Sequence, residues 1–178
     1  MRSFFYRVKN LWLTGLIAGL CLIVLANPFV AGADDLKSKT KAVFIFKLFH
    51  YVTWPKTEPG QSAVLCVYGH NSFPDTLNYL QKKRPGLKIK MVSDINQASH
   101  CHLLFIGTMD SAAEEFIKKP ATKGILIVSD IPQSFHNGAM ILMFYENDRL
   151  QLNINRTRLH QAGLKINSKL LRHARVVK

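Results

Sequence analysis

The chain has 178 residues, 48% of them hydrophobic, with 24 Lys and Arg against 11 Asp and Glu. That length suits one compact domain with a core of its own, and a single domain is expected. A formal charge of +13 ordinarily points to nucleic acid, because Lys and Arg neutralise phosphate, but the N-terminus argues against that partner.

Residues 1–33 have the layout of a cleavable export signal. Arg2, Arg7 and Lys9 form a positive start, Leu11 to Ala26 is an uncharged apolar run, and Ala31-Gly32-Ala33 offers small residues to signal peptidase. Cleavage after Ala33 leaves a single domain over 34–178. The apolar run falls short of the roughly 20 residues a spanning helix needs, so an uncleaved anchor is the lesser reading. Cys21 follows Leu20 and lies inside the run, which does not suit lipid attachment. Export to a periplasm removes nucleic acid as a partner and leaves anionic lipid, anionic polymer or an acidic protein face for the basic surplus. That surplus concentrates at Arg156, Arg158, Lys165, Lys169, Arg172, Arg175 and Lys178.

Lys39 to Val52 reads as a helix apolar on almost every side, with Lys47 and His50 sharing one narrow wet face. Trp54-Pro55 ends it, since proline holds the preceding residue extended. Ala63 to Tyr68 suits a strand buried on both faces. Phe73 to Arg84 reads as a helix stopped by Pro85-Gly86, Ile89 to Val92 and His102 to Ile106 as strands, and Ala112 to Ile117 as a short helix. Ile125 to Val128 is the next strand and runs into Ser129-Asp130, where an open parallel sheet presents its ligand edge. Met140 to Tyr145 and Leu150 to Ile154, around Glu146-Asn147-Asp148, predict an antiparallel hairpin. Asn155 reads as the N-cap of a helix over 156–162 with Gly163 as its stop, and Ser168 as the N-cap of a last helix carrying Leu170, Leu171 and Ala174. Strands alternating with helices, then a hairpin, predict an α/β fold with a mostly parallel sheet flanked by helices.

Cys66 and Cys101 are the cysteines left after cleavage. An oxidising compartment favours a bridge between thiols that can meet, and this one would close a loop of about 35 residues. Zinc is the other reading, with His70, His100 and His102 nearby in sequence, but no C-x-x-C or H-x-x-x-H pair supports it. Ser129, Asp130 and His136 are the residue types of a hydrolase triad. Ser129 lacks the G-x-S-x-G turn that exposes such a hydroxyl, and no phosphate loop occurs, so no enzyme and no cofactor is expected.

A helix so apolar in so small a domain either runs through the core or offers one side to another protein. Phe44, Tyr51 and Trp54, with Lys47 beside them, are the candidate interface residues, and burial is the alternative for the aromatics. Ser129 and Asp130 are the candidate ligand edge.

Taken in order, the segments Lys41 to Pro55 (KAVFIFKLFHYVTWP), Cys66 to Gly69, Cys101 to Ile106, Val128 to Asp130, Gly138 to Ile141, Ile154-Asn155, Gly163-Leu164 and Ser168 to Leu171 resemble the YfiR family over essentially the whole of 34–178. The resemblance implies a non-catalytic periplasmic regulator, tending to dimerise, that restrains an inner-membrane diguanylate cyclase. Its action would lower cyclic di-GMP and biofilm formation. A small-ligand module serving another membrane sensor, such as a histidine kinase, is the alternative. Cys66 and Cys101 match family cysteines, which strengthens the bridge. The chain departs from the family at Lys47 (usually Asn), Thr53 (usually acidic) and Ala139 (usually Gly), and it lacks a second cysteine pair in the hairpin.

Overall fold

The computed structural model describes residues 31–55, 63–69, 74–120 and 124–177. Residues 36–178 form one compact unit. The predicted export signal falls largely on residues 1–30, outside the described residues, and its last three residues open the first helix. Among the described residues no helix is long and apolar enough to cross a membrane.

The first helix, α1 (Ala31–Tyr51), leads into a two-residue strand, β1 (Val52–Thr53). Then come β2 (Ala63–Tyr68), α2 (Pro74–Lys83), β3 (Leu87–Val92), a 3-10 turn (Ile95–His100) and β4 (Leu103–Ile106). The chain continues through α3 (Ser111–Lys118), β5 (Leu126–Ser129), α4 (Pro132–Asn137), β6 (Ile141–Glu146) and β7 (Arg149–Asn155). It closes with α5 (Arg156–Gln161), β8 (Lys165–Ile166), α6 (Ser168–Leu171) and β9 (Arg175–Val177).

Seven strands form one sheet in the order β3-β2-β4-β5-β6-β7-β9. The first five run parallel, β7 is antiparallel to β6, and β9 is parallel to β7. The α/β fold with a mostly parallel sheet is therefore as the sequence predicts, and the hairpin extends that sheet. Its two-residue turn, Asn147-Asp148, has φ of 49° and 55°, the left-handed pair that matches the twist of a hairpin. Strand β5 is buried throughout, β4 likewise, and β2 nearly so, which explains their unbroken apolar runs.

Right-handed crossovers decide which helix lies on which face. The step from β2 to β3 and the steps from β4 to β6 move in opposite directions, so α2 and the pair α3 and α4 cover opposite faces. Helix α1 shares the α2 side, where the Arg84 guanidinium sits 5.6 Å from the Phe46 ring centre and 6.0 Å from that of Phe49. On the other side Arg158 of α5 donates to the carbonyls of Gly138, Ile117 and Lys119 and so ties the ends of α3 and α4 together.

Four features differ from the sequence expectation, each for a local reason. Helix α1 begins earlier than Lys39. Helix α4 was not anticipated because its cap position, Ile131, makes no side-chain bond; Pro132 at its first turn and Gly138 at φ 116° were its signals. Strands β1 and β8 pair as a separate ladder, Val52 with Ile166, which two-residue runs cannot announce. Last, Asn167 and not Ser168 caps α6, accepting from the Lys169 N–H at 2.9 Å, and the helix ends after one turn. Ala174 lies beyond it, because the open edge of β7 offers ladder bonds to Arg175–Val177.

Cys66 and Cys101 are joined, with Cα atoms 5.9 Å apart, so the predicted bridge is present. It ties β2 to the residue that caps the 3-10 turn. A 35-residue separation corresponds to about 4 kcal/mol in the chain-entropy picture. Urea unfolding of the Cys66→Ala/Cys101→Ala double variant should therefore show a loss near ~4 kcal/mol; a loss under ~1 kcal/mol would mean the bridge constrains little.

Candidate functional site

Helix α1 is not equally buried around its circumference. Ala42, Ile45, Leu48 and Phe49 follow helical spacing and are at most 5% exposed, packed on the sheet. On that inner side Lys41 reaches Asp130 at 2.6 Å, and the Tyr145 hydroxyl donates to the Lys37 carbonyl at 2.9 Å, anchoring the helix to β5 and β6. Leu36, Thr40, Val43 and Lys47, spaced by four, three and four, mark the outer side. Leu36 is 66% exposed and Val43 38%, and with Lys39 and Phe44 these residues line a shallow groove that is largely apolar. An outward stripe of that kind needs a reason, because it leaves apolar surface in water.

The four candidate interface residues fall in different places. Lys47 is exposed and Phe44 half-buried, both at this groove; Tyr51 is half-buried on the same flank two turns on. Trp54 is inside, 5% exposed, stacked on Phe49 with ring centres 5.8 Å apart. Leu36 and Val43 were missed by aromatic-led reasoning, although their spacing with Thr40 and Lys47 was readable.

The candidate ligand edge is closed by its own bonds. Ser129 is completely buried; its hydroxyl donates to the Ile106 carbonyl at 2.8 Å and accepts from the Ile131 N–H at 3.1 Å. Asp130 is taken up by Lys41, and the His136 ring bonds the Pro132 carbonyl of its own helix. The sheet's switch point, between β2 and β4, is also occupied. Gly69 lies so close to Thr108 that an added Cβ would come within 2.4 Å, and the Tyr68 hydroxyl donates to Asp110 at 2.7 Å. Asp110 also caps α3 through the Ala113 N–H, and these two bonds hold its carboxyl below the usual carboxylate range; the bond to Asp110, with burial, raises the Tyr68 phenol.

A cleft of about 520 Å³ opens at the opposite end of the strands, between Trp54, His100, His102, Gly124 and Gly163. The bridged sulfurs are not free to hold a metal, and among the described residues no three His, Cys, Asp or Glu converge.

Residues 38–175 match the family model described as YfiR/HmsC-like. The chain belongs to the YfiR/HmsC-like family. Compared with curated proteins it matches none. Within this YfiR/HmsC-like domain Lys47 and Thr53 are exposed, and Ala139 is completely buried.

His102 stands where the elements of the domain meet. Its Nδ1 accepts the Val64 N–H at 3.2 Å, its own N–H donates to the Val64 carbonyl at 3.0 Å, and its carbonyl accepts from the Trp54 indole at 3.2 Å. Burial lowers the imidazole pKa below 6.5, and Nδ1 can accept only while unprotonated. The folded state thus resists a proton that the unfolded chain takes up. Its contribution to stability is complete above about pH 6.5 and is lost as the pH falls from there through the lower folded value. Thermal melts should fall in Tm over that window and fall less in His102→Asn, whose amide oxygen can replace Nδ1. An equal pH slope in both proteins would remove His102 as the cause.

Proposed function

We propose that this protein is a periplasmic regulator that restrains an inner-membrane diguanylate cyclase, lowering cyclic di-GMP and with it biofilm formation. The match of residues 38–175 to the YfiR/HmsC-like family carries this reading, because the match covers β1 to β8 and α1 from residue 38 on. The apolar stretch at the N-terminus supports export, and the bridged cysteines suit an oxidising compartment. The outer face of α1 is the docking surface in this reading. Leu36, Val43 and half-buried Phe44 provide apolar area, and Lys39 and Lys47 provide a polar rim, the usual anatomy of a protein interface. Nothing in the reading calls for turnover by this chain.

A second copy of the chain is the other occupant of this face in the same reading, and the two uses compete or combine. A small-ligand module is a separate reading; the cleft at His100 and His102 favours it more than Ser129 and Asp130, whose side chains are already engaged.

Leu36→Asp/Val43→Asp changes two side chains that face outward, so the variant should keep the wild-type melt within a few degrees. It should lose capture of the cyclase from detergent-solubilised membranes by at least tenfold and raise cellular cyclic di-GMP toward the deletion level. Light scattering of the same variant reports whether a dimer is lost with it. Undiminished capture and repression by a folded variant would remove α1 as the docking face, and unchanged cyclic di-GMP on deletion would remove the regulator reading itself.

A further inference from the structure

The carboxylates of this protein are unevenly placed. No Asp or Glu occurs after Asp148, yet the segment from there on carries Arg156, Lys165, Lys169 and Arg172, all exposed. Those carboxylates whose partners are known are engaged elsewhere: Asp130 with Lys41, Asp148 with Lys37, Glu114 and Glu115 with Lys118 and Lys119, Glu146 with Arg175. No described ion pair therefore neutralises these four cations. Folding brings two of them, Arg156 and Lys165, to one opening. Helix α5, strand β8 and helix α6 surround a pocket of about 300 Å³ with Arg156, His160 and Lys165 at its rim and Leu159, Leu164, Ile166 and Leu171 beneath. Lys169 lies on α6 and Arg172 is its C-terminal cap, on either side of Leu171 in sequence.

We infer that this C-terminal face is a docking surface for an anionic phospholipid bilayer. A cationic rim over an apolar floor fits the layering of a lipid surface, phosphate outward and glycerol and acyl chain beneath. An acidic protein face would match the charge and fill the floor as well; cations with no carboxylate among them in the segment after Asp148 favour the uniformly anionic surface of a bilayer. The patch is also continuous with the end of α1: β1 pairs with β8, the Asn167 N–H donates to the Tyr51 carbonyl at 2.8 Å, and exposed Lys47 adds a further cation on the helix. A domain held on the membrane by this face presents α1 beside it, within reach of the extracytoplasmic part of a membrane protein. The inference rests on the chain being exported, but not on which membrane protein it meets.

The test is flotation of the full chain with phosphatidylcholine vesicles, with and without one third phosphatidylglycerol, at low and high salt. Neutral vesicles cancel any contribution of the apolar N-terminal run. Binding should require phosphatidylglycerol and fall away at high salt as screening shortens the reach of the charges. Arg156→Gln/Lys165→Gln should weaken partitioning about 25-fold, at roughly fivefold per cation near an anionic surface. Lys88→Gln/Lys90→Gln, which removes the same charge from exposed sites on β3 at the far edge of the sheet, should change it by less than about threefold. Equal losses in the two variants would show a response to net charge alone and overturn the assignment. Equal binding to neutral vesicles, or no binding at all, would overturn it as well, the latter leaving an acidic protein face as the partner. Displacement by inorganic phosphate, but not by chloride at matched ionic strength, would show a phosphate pocket in place of a membrane surface.

Discussion

The junction at His102 is the constraint on which the described domain most depends. One residue joins β2 through a ring nitrogen and a backbone N–H, receives the Trp54 indole at the end of α1 on its carbonyl, and accepts the Leu126 N–H of β5 on the same oxygen. The bridge at Cys101 fastens the adjacent residue to β2. Helix α1, the central strands and the covalent link are thereby fixed at one point. Because Trp54 is held inside, α1 is anchored at that end, and Lys41 on Asp130 and Tyr145 on the Lys37 carbonyl anchor it further back. A helix held so firmly keeps its outer stripe in place without a partner, which is what a preformed docking surface requires.

The opposite end of the sheet shows why this fold need not carry chemistry. An open parallel sheet leaves a crevice where its strand order reverses, and ligands commonly sit there. Here Gly69 packs against Thr108 across that gap, Tyr68 and Asp110 hydrogen-bond over it, and Ser129 spends its hydroxyl on the backbone. Fold and function part company in this way: the same sheet supports either a site or a plain scaffold, depending on a few side chains. In this chain exposed apolar residues line one side of α1, and exposed cations lie on the C-terminal segment.

Much of this was legible in the sequence. The strands at β2, β4 and β5 are apolar without a break because both of their faces are covered, and the cysteine pair followed from compartment and loop size. The hairpin announced itself by alternation around Asn147-Asp148. What escaped was decided by tertiary context. Arg175–Val177 became a strand because β7 had a free edge, and α6 shortened accordingly. Trp54 looked like an interface residue because large aromatics serve cores and interfaces alike, and only its stacking on Phe49 and its bond to His102 separate the two. Leu36 and Val43 carry less area than the aromatics that drew attention, yet on α1 they are the large apolar residues that face water.

The central claim is that α1 meets a membrane protein with its outer stripe. Photo-crosslinking in living cells tests it most directly, with the photoreactive residue placed at Val43 and, as a control, at Tyr79, which is 58% exposed on α2. An adduct identified by mass spectrometry as an inner-membrane diguanylate cyclase, formed from position 43 and not from position 79, is the predicted result. No adduct from position 43, or equal adducts from both, would contradict the account.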